Sequence, residues 1–358
     1  MARTLPGRHA ILVSNRGPQD PREDGTFKRG AGGVVTALLT LAEATAADWV
    51  ACARNDVERK QAESSSDGLQ VRLARGKGRL HYAAPTREEY EMYYSVIANP
   101  VLWFIQHYLW DLGNEPVIDD RIHQAWTDGY VRVNMLMAEK VIELAHAAAE
   151  PPMVLVHDYQ LYLVPQLIRA AIPRALIQHF IHVPWPTPQY WKVLPKHMRD
   201  PILEGLLGCD VVGFQSSLDV RNFLLTCEEN LGLQVDEHER AVVAGGRVVY
   251  ARHYPHRAHR SLRSLEEHRS RIHRLREAAA LSPRASRPGP VLGVSATVSA
   301  GRFRVRALPA PDPADGGPHQ QRARHGGVAA HPARGRRERA QGDCRVEELR
   351  RAAGQSRL

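Results

Sequence analysis

The sequence predicts an α/β fold: a doubly wound, Rossmann-like parallel sheet over residues 1–255, followed by a tail of different character. Three observations predict it. Short apolar runs rich in Val, Ile and Leu recur at 10–13, 49–53, 153–156, 176–183 and 211–214, with a more polar run at 242–250. Stretches of helical period lie between them, at Val34 to Ala46, Tyr130 to His146 and Leu218 to Leu231. Several of the runs are continuous rather than alternating, the habit of strands buried on both faces, and such strands alternating with helices build a parallel sheet. Ligands of these sheets gather at the carboxyl ends of the strands.

The tail sets the other bounds. The chain carries 48 Lys+Arg against 39 Asp+Glu, a net charge of +9 over 358 residues. That excess suggests nucleic acid or an anionic membrane, but its distribution does not. Residues 1–250 hold 25 basic and 30 acidic side chains, whereas 251–358 hold 23 and 9, so the basic character belongs to the tail alone. Residues 256–282 include a helix-like stretch, LRSLEEHRSRIHRLREAAA. From Pro283 to Leu358, 46 of 76 residues are Gly, Ala, Pro or Arg, and Phe303 is the only Phe, Trp or Tyr. Too little apolar surface is available there to offset chain entropy, so 283–358 is expected to be disordered. These four residue types are also the ones written by codons of G and C alone. A GC-rich gene read out of frame would give this composition; an evolved basic arm is the alternative. Nucleic-acid binding is not expected, because the tail lacks interleaved aromatics.

Cys52, Cys209, Cys227 and Cys344 show no CxxC spacing, which argues against zinc or a disulfide framework and fits a reducing compartment. No apolar run resembles a signal peptide or a membrane span, so a cytoplasmic protein without membrane attachment is expected.

Four stretches offer chemistry, each with a plainer alternative. Residues 14–35, SNRGPQDPREDGTFKRGAGGVV, run from a strand tip through a glycine-rich turn into a helix. Helix N-termini present unpaired N–H groups to anions, glycine allows close approach, and Arg16 adds a donor fork suited to phosphate. The stretch is neither GxGxxG nor a P-loop, and an ordinary βα loop remains open. In VLVHDYQLYLVPQL, at 154–167, Asp158 should stand at the ligand-bearing edge, either to accept sugar hydroxyls or to cap the next helix. In HFIHVPWPTPQYW, at 179–191, Pro184, Pro186 and Pro188 stiffen a strand exit beside His182, which is a site residue or a structural one. In YYSVIANPVLW, at 93–103, Tyr94 and Trp103 either face a sugar or belong to the core.

Taken in order, SNR, AGG before a helix, YYxxxxNxxLW, WTDGYVRVN (126–134), HDYQL, HVPWPTP and DVVGFQ (210–215) resemble the trehalose-6-phosphate synthases, over roughly residues 10 to 255. The resemblance implies the N-terminal half of a GT-B fold and a retaining glucosyltransferase. It implies glucose 6-phosphate as acceptor, UDP- or GDP-glucose as donor and α,α-trehalose 6-phosphate as product, with no metal and no cofactor beyond the nucleotide sugar. By motif position, Arg16 would contact the acceptor phosphate, Tyr94 and Trp103 would line its pocket, and Asp158 would bind and orient acceptor hydroxyls. Gly32 and Gly33 would lie beside the donor diphosphate, and His182 would contact the donor glucose. A homo-oligomer is compatible with the family.

Two departures qualify this. The family's donor half brings an Arg and a Lys in an RxDxxKG-like segment and an acidic residue in a DGMNLV-like one; neither pattern follows Tyr254. The resemblance therefore implies a truncated or frame-disrupted copy, poorly active as written. A GWSG-like segment is also replaced by VACARND at 50–56. That stretch and WPxxxYWxxLP at 185–195 resemble pseudo-glycosyltransferases that couple cyclitols. Glucosylglycerol-phosphate synthases are a further sibling, and a non-catalytic sugar-phosphate-binding module is the alternative of another class.

Overall fold

The computed structural model describes residues 8–22, 26–30, 35–36, 38–39, 41–42, 47–65, 67–73, 76–110 and 117–254, with the backbone of 295–299 and 302–306. Among them, β1 (Ala10–Ser14) is followed by a small hairpin of β2 (Gln19–Pro21) and β3 (Phe27–Arg29). Then come β4 (Asp48–Cys52), β5 (Leu69–Leu73), β6 (Gly76–Ala83), β7 (Met153–His157), β8 (Leu176–Phe180) and β9 (Val211–Phe214). β10 (Gln234–Asp236), β11 (Ala241–Ala244) and β12 (Arg247–His253) complete one ten-stranded sheet of order β10-β11-β12-β9-β8-β7-β1-β4-β6-β5.

The strands from β12 to β6 in that order are all parallel; only β5, at one edge, and β11, between β10 and β12, run against them, and β10 is antiparallel to β11. From β1 the chain steps outward to β4 and β6, then returns to lay β7 on the opposite flank of β1 and proceeds to β8 and β9. The winding therefore reverses between β1 and β7. A reversal of this kind leaves a crevice outside the carboxyl ends of the two strands, because the connections leave them to opposite faces.

Both faces are packed. Ile11, Val13, Val50, Val154, Val156 and Ile177 join one core with the helices Arg132–Ala147, Val164–Ala171 and Ser217–Leu231. Leu12, Trp49, Ala51 and Leu155 join the other, with Val35, Leu38 and Ala42 of the helix after the glycines. The helix Ser217–Leu231 starts on a Ser216/Asp219 capping box and ends at Gly232, whose φ of 65° suits glycine. Between Arg87 and Gln106 the chain is helical with a wide, π-type stretch at Glu91–Leu102; Asn99, before Pro100, leaves helical geometry.

Two expectations change. The run at 242–250 is not one strand: Gly245 and Gly246, at φ 55° and 76°, turn it into the β11–β12 hairpin, a turn whose two central residues need positive φ. The loop after Arg16 is likewise the β2–β3 hairpin, closed where the Gly30 N–H donates to Pro18 O at 2.9 Å. A Cβ on Gly30 would meet Gly17 O at 2.7 Å, so only glycine fits. The helix-like stretch at 262–280 lies outside the described residues. So does the remainder of the tail, apart from the antiparallel strands β13 (Ser295–Ser299) and β14 (Arg302–Arg306).

Candidate functional site

The crevice is built from two strand tips and one helix. After β1, Ser14 Oγ donates to Arg16 O at 2.8 Å and accepts from Trp49 Nε1 at 2.8 Å, which fixes the turn. The buried Asn15 side chain accepts from Tyr93 Oη at 3.2 Å and so ties the tip to the π-helical stretch. Arg16 is exposed, and among the described residues its guanidinium has no ion pair. A planar cation left unpaired at a strand tip is ready for a bidentate anion.

On the helix, Tyr93 is core, whereas Tyr94 is half-buried and stacks on Tyr90 with centroids 5.6 Å apart. Trp103 is 36% exposed, lying on His107 at 3.7 Å and tilted against Tyr159 at 5.8 Å, so it lines the surface rather than the core. Tyr159 joins the helix to the β7 tip: its hydroxyl donates to Asn99 Oδ1 at 2.7 Å. Burial first, then the charges of Asp158 and Tyr94, hold the Tyr159 phenol above its ordinary pKa, a mark of how close the three side chains lie.

Asp158 itself stands immediately past β7 at φ 75° and ψ 170°. That combination is almost reserved for glycine and costs on the order of 1–3 kcal/mol in other residues. The helix-cap alternative does not hold, because a short 3₁₀ turn begins at Tyr159 but the carboxylate makes no capping bond to it. Instead Oδ1 accepts from the His182 N–H at 3.4 Å. Burial pushes the carboxyl up to about 6, partly opposed by the Tyr159 and His182 amides.

His182 is half-buried, with its Nε2 3.2 Å from His157 Nδ1 and its ring edge-on to Phe180 at 4.6 Å. Its carbonyl accepts from the Gln215 side chain, from the DVVGFQ segment. Burial, then His182 and His179, hold His157 well below its ordinary pKa, so it meets His182 as a neutral ring. The proline loop beyond is rigid: Trp185 is buried, its N–H donates to Asp219 Oδ1 at 2.9 Å, and its carbonyl accepts from Asn222 at 2.9 Å.

The structure thus brings Arg16, Tyr94, Trp103, Asp158 and His182 to one end of the sheet. Gly32 and Gly33 lie outside the described residues. Arg54, of VACARND, is committed elsewhere, to the buried Glu58 at 2.5 Å and to Asp20 of the β2–β3 hairpin. Asn15, Asn99 and Tyr159 stand inside SNR, YYxxxxNxxLW and HDYQL, and His179 opens HFIHVPWPTPQYW, but none has a role in the sequence reading; all four act through hydrogen bonds to partners distant in sequence.

A doubly wound sheet with an unpaired cation and a strained, buried carboxylate flanking its reversal point is an α/β domain that binds its ligand at the carboxyl ends of its strands. The match is direct: the model of glycosyltransferase family 20 covers residues 8–275, and the chain belongs to that family. It is 34% identical over 226 residues to the trehalose-6-phosphate synthase of Mycolicibacterium smegmatis, a match covering 62% of this chain and 41% of that protein. It is 33% identical over 181 residues to the validamine 7-phosphate valienyltransferase of Streptomyces hygroscopicus subsp. jinggangensis, covering 49% of this chain and 35% of that one. A trehalose-6-phosphate structure from E. coli, bound with UDP-2-fluoro glucose, superposes with a TM-score of 0.53 at 25% identity, covering 69% of this chain and 48% of that chain. The chain spans about two fifths of the length of the curated relatives it matches.

Proposed function

We propose that the crevice between the β1 and β7 tips is the acceptor site of a retaining glucosyltransferase of the trehalose-6-phosphate synthase type, and that glucose 6-phosphate occupies it. The observation that carries this reading is the pairing of Arg16 and Asp158 on adjacent strands at the reversal of the sheet. In this reading Arg16 takes the phosphate, Asp158 accepts from the sugar hydroxyls, and Tyr94 and Trp103 form the wall. Gly32, Gly33 and His182 face the donor, whose nucleotide is uridine or guanosine diphosphate; the E. coli neighbour with its UDP analogue supports the first. Transfer then rests on positioning and on charge stabilisation of the departing diphosphate rather than on a protein nucleophile.

Titration calorimetry with glucose 6-phosphate tests it. Saturable binding that Arg16→Ala weakens and inorganic sulfate does not mimic supports the reading; no binding by the folded chain overturns it.

A second reading is favoured by the valienyltransferase match and by VACARND: a phosphorylated cyclitol in the same crevice. Tighter binding of validamine 7-phosphate than of glucose 6-phosphate decides for it.

A further inference from the structure

The strained backbone of Asp158 has to be held by something. Its N–H donates to Phe180 O at 2.8 Å, and its carbonyl accepts from Leu161 N at 3.3 Å and from His179 Nε2 at 2.9 Å. The first two are main-chain bonds that any sequence would make. The third depends on one side chain, rising from β8 one residue before its carboxyl end and fully buried.

His179 is an expensive choice for that position. A carbonyl only accepts, so Nε2 carries the proton and Nδ1 is left as a bare lone pair. Among the described residues that lone pair has no partner and no exposure. Burial pushes the imidazole down to about 3, so it stays neutral while it makes the bond. An apolar side chain there, against Tyr162 at 5.6 Å, would leave no polar atom unsatisfied. A buried polar group that costs stability and makes one directed bond points to a role beyond packing.

We propose that His179 is a positioning residue: by donating to the Asp158 carbonyl it locks residue 158 in its glycine-like conformation and so aims the carboxylate into the crevice. The aim of the carboxylate matters only if the crevice takes a polyol acceptor, so the inference rests on the reading given above. The lock itself does not.

Two measurements separate them. With glucose 6-phosphate, His179→Leu binds at least tenfold more weakly than the unmutated chain. His179→Gln, whose amide nitrogen can replace Nε2, recovers most of that loss. Unchanged affinity in His179→Leu overturns the inference. Thermal unfolding reads the lock without ligand. Asp158→Gly raises Tm in the unmutated background, because glycine relieves the strain. In the His179→Leu background that gain disappears, because Asp158 has already relaxed. An equal gain in both backgrounds overturns the inference even if glucose 6-phosphate binds as expected. Failure of the unmutated chain to bind glucose 6-phosphate, with the Tm coupling intact, overturns only the acceptor reading.

Discussion

At the scale of the residue, Asp158 and Arg16 carry opposite electrostatic problems. The Asp158 carboxyl, pushed up to about 6 by burial, is ionised at pH 7.5 but mostly protonated at pH 5. Its folded pKa lies above the unfolded value, so the ionised form costs stability above about pH 6 and that cost vanishes as pH falls. Function runs the other way, since a carboxylate accepts from several hydroxyls and a carboxylic acid gives up one site to its proton. Affinity for glucose 6-phosphate should therefore drop about tenfold between pH 7 and 5, one pKa unit below the midpoint. The phosphate of the ligand loses charge near the same pH, so Asp158→Asn is the control: its binding should be weaker at pH 7 and should fall less steeply. Parallel profiles for the two proteins would remove Asp158 from the site. Arg16 poses no folding problem, being exposed and without an ion pair among the described residues. Arg16→Ala should leave Tm unchanged while weakening glucose 6-phosphate binding by roughly 10- to 150-fold, the worth of a hydrogen bond to a charged group. Calorimetry and a melting curve on the same sample check both halves.

At the scale of the element, the ends of the strands are held by ion pairs far from the crevice. Arg169, from the helix Val164–Ala171, donates to Asp210 Oδ2 at 2.7 Å and to the carbonyls of Pro173, Ala175 and Gly208. Arg247, entering β12, takes the other Asp210 oxygen at 3.3 Å. Both Arg169 and Asp210 are buried, so Arg169→Met leaves a carboxylate and several carbonyls short of donors; unfolding in urea should show a loss of about 3 kcal/mol or more. Asp48, at the start of β4, meets His9 at 2.9 Å, Arg79 at 3.2 Å and His81 at 3.7 Å. Burial alone would raise its pKa, but those partners outweigh it and hold the carboxyl well below the ordinary range. A depressed folded pKa means stabilisation present above about pH 4, the unfolded value, and lost as pH falls below it. Asp48→Asn should flatten the acid limb of the stability profile; an unchanged limb would contradict this. These elements also show what the sequence could convey. β1, β4, β7 and β9 were legible because strands buried on both faces read as nearly unbroken apolar runs, and β8 (LIQHF) because apolar residues flank its buried Gln178 and His179. β5 (LQVRL), at the edge, and β6 (GKGRLHYA), between β4 and β5, were not, because Gln, Arg, Lys, Gly and His interrupt their apolar residues in the sequence. Arg16 and Asp158 could be placed because a strand tip is where a run stops, whereas the proposed His179 lock depends on the backbone torsion of Asp158, at the tip of the neighbouring strand β7.

At the scale of the molecule, charge and coverage divide the chain at nearly the same point. Residues 1–250 have net charge −5 and carry the crevice, while 251–358 have net charge +14, and the family match ends at 275. The out-of-frame reading of the tail is tested by the coding DNA. Translating its other two frames beyond codon 255 should recover an Arg/Lys segment and an acidic ribose-binding segment of the family's kind. An unbroken reading frame with no such segment would favour an evolved basic arm. Turnover is the sharper test, because it asks what this polypeptide supplies to the departing diphosphate. In the proposed reaction that group leaves with its negative charge, and each directed donor that stabilises it is worth about 10²–10³ in rate. No lysine follows Lys196, and no RxDxxKG-like segment follows Tyr254. The 358-residue chain should therefore bind glucose 6-phosphate yet release no nucleotide diphosphate above background from UDP- or GDP-glucose, with or without the acceptor. Binding without release would separate the two halves of the reaction, acceptor capture from leaving-group stabilisation. Release that depends on the acceptor would mean the cations come from within the chain, and the 23 basic residues of 251–358 would then be where to find them.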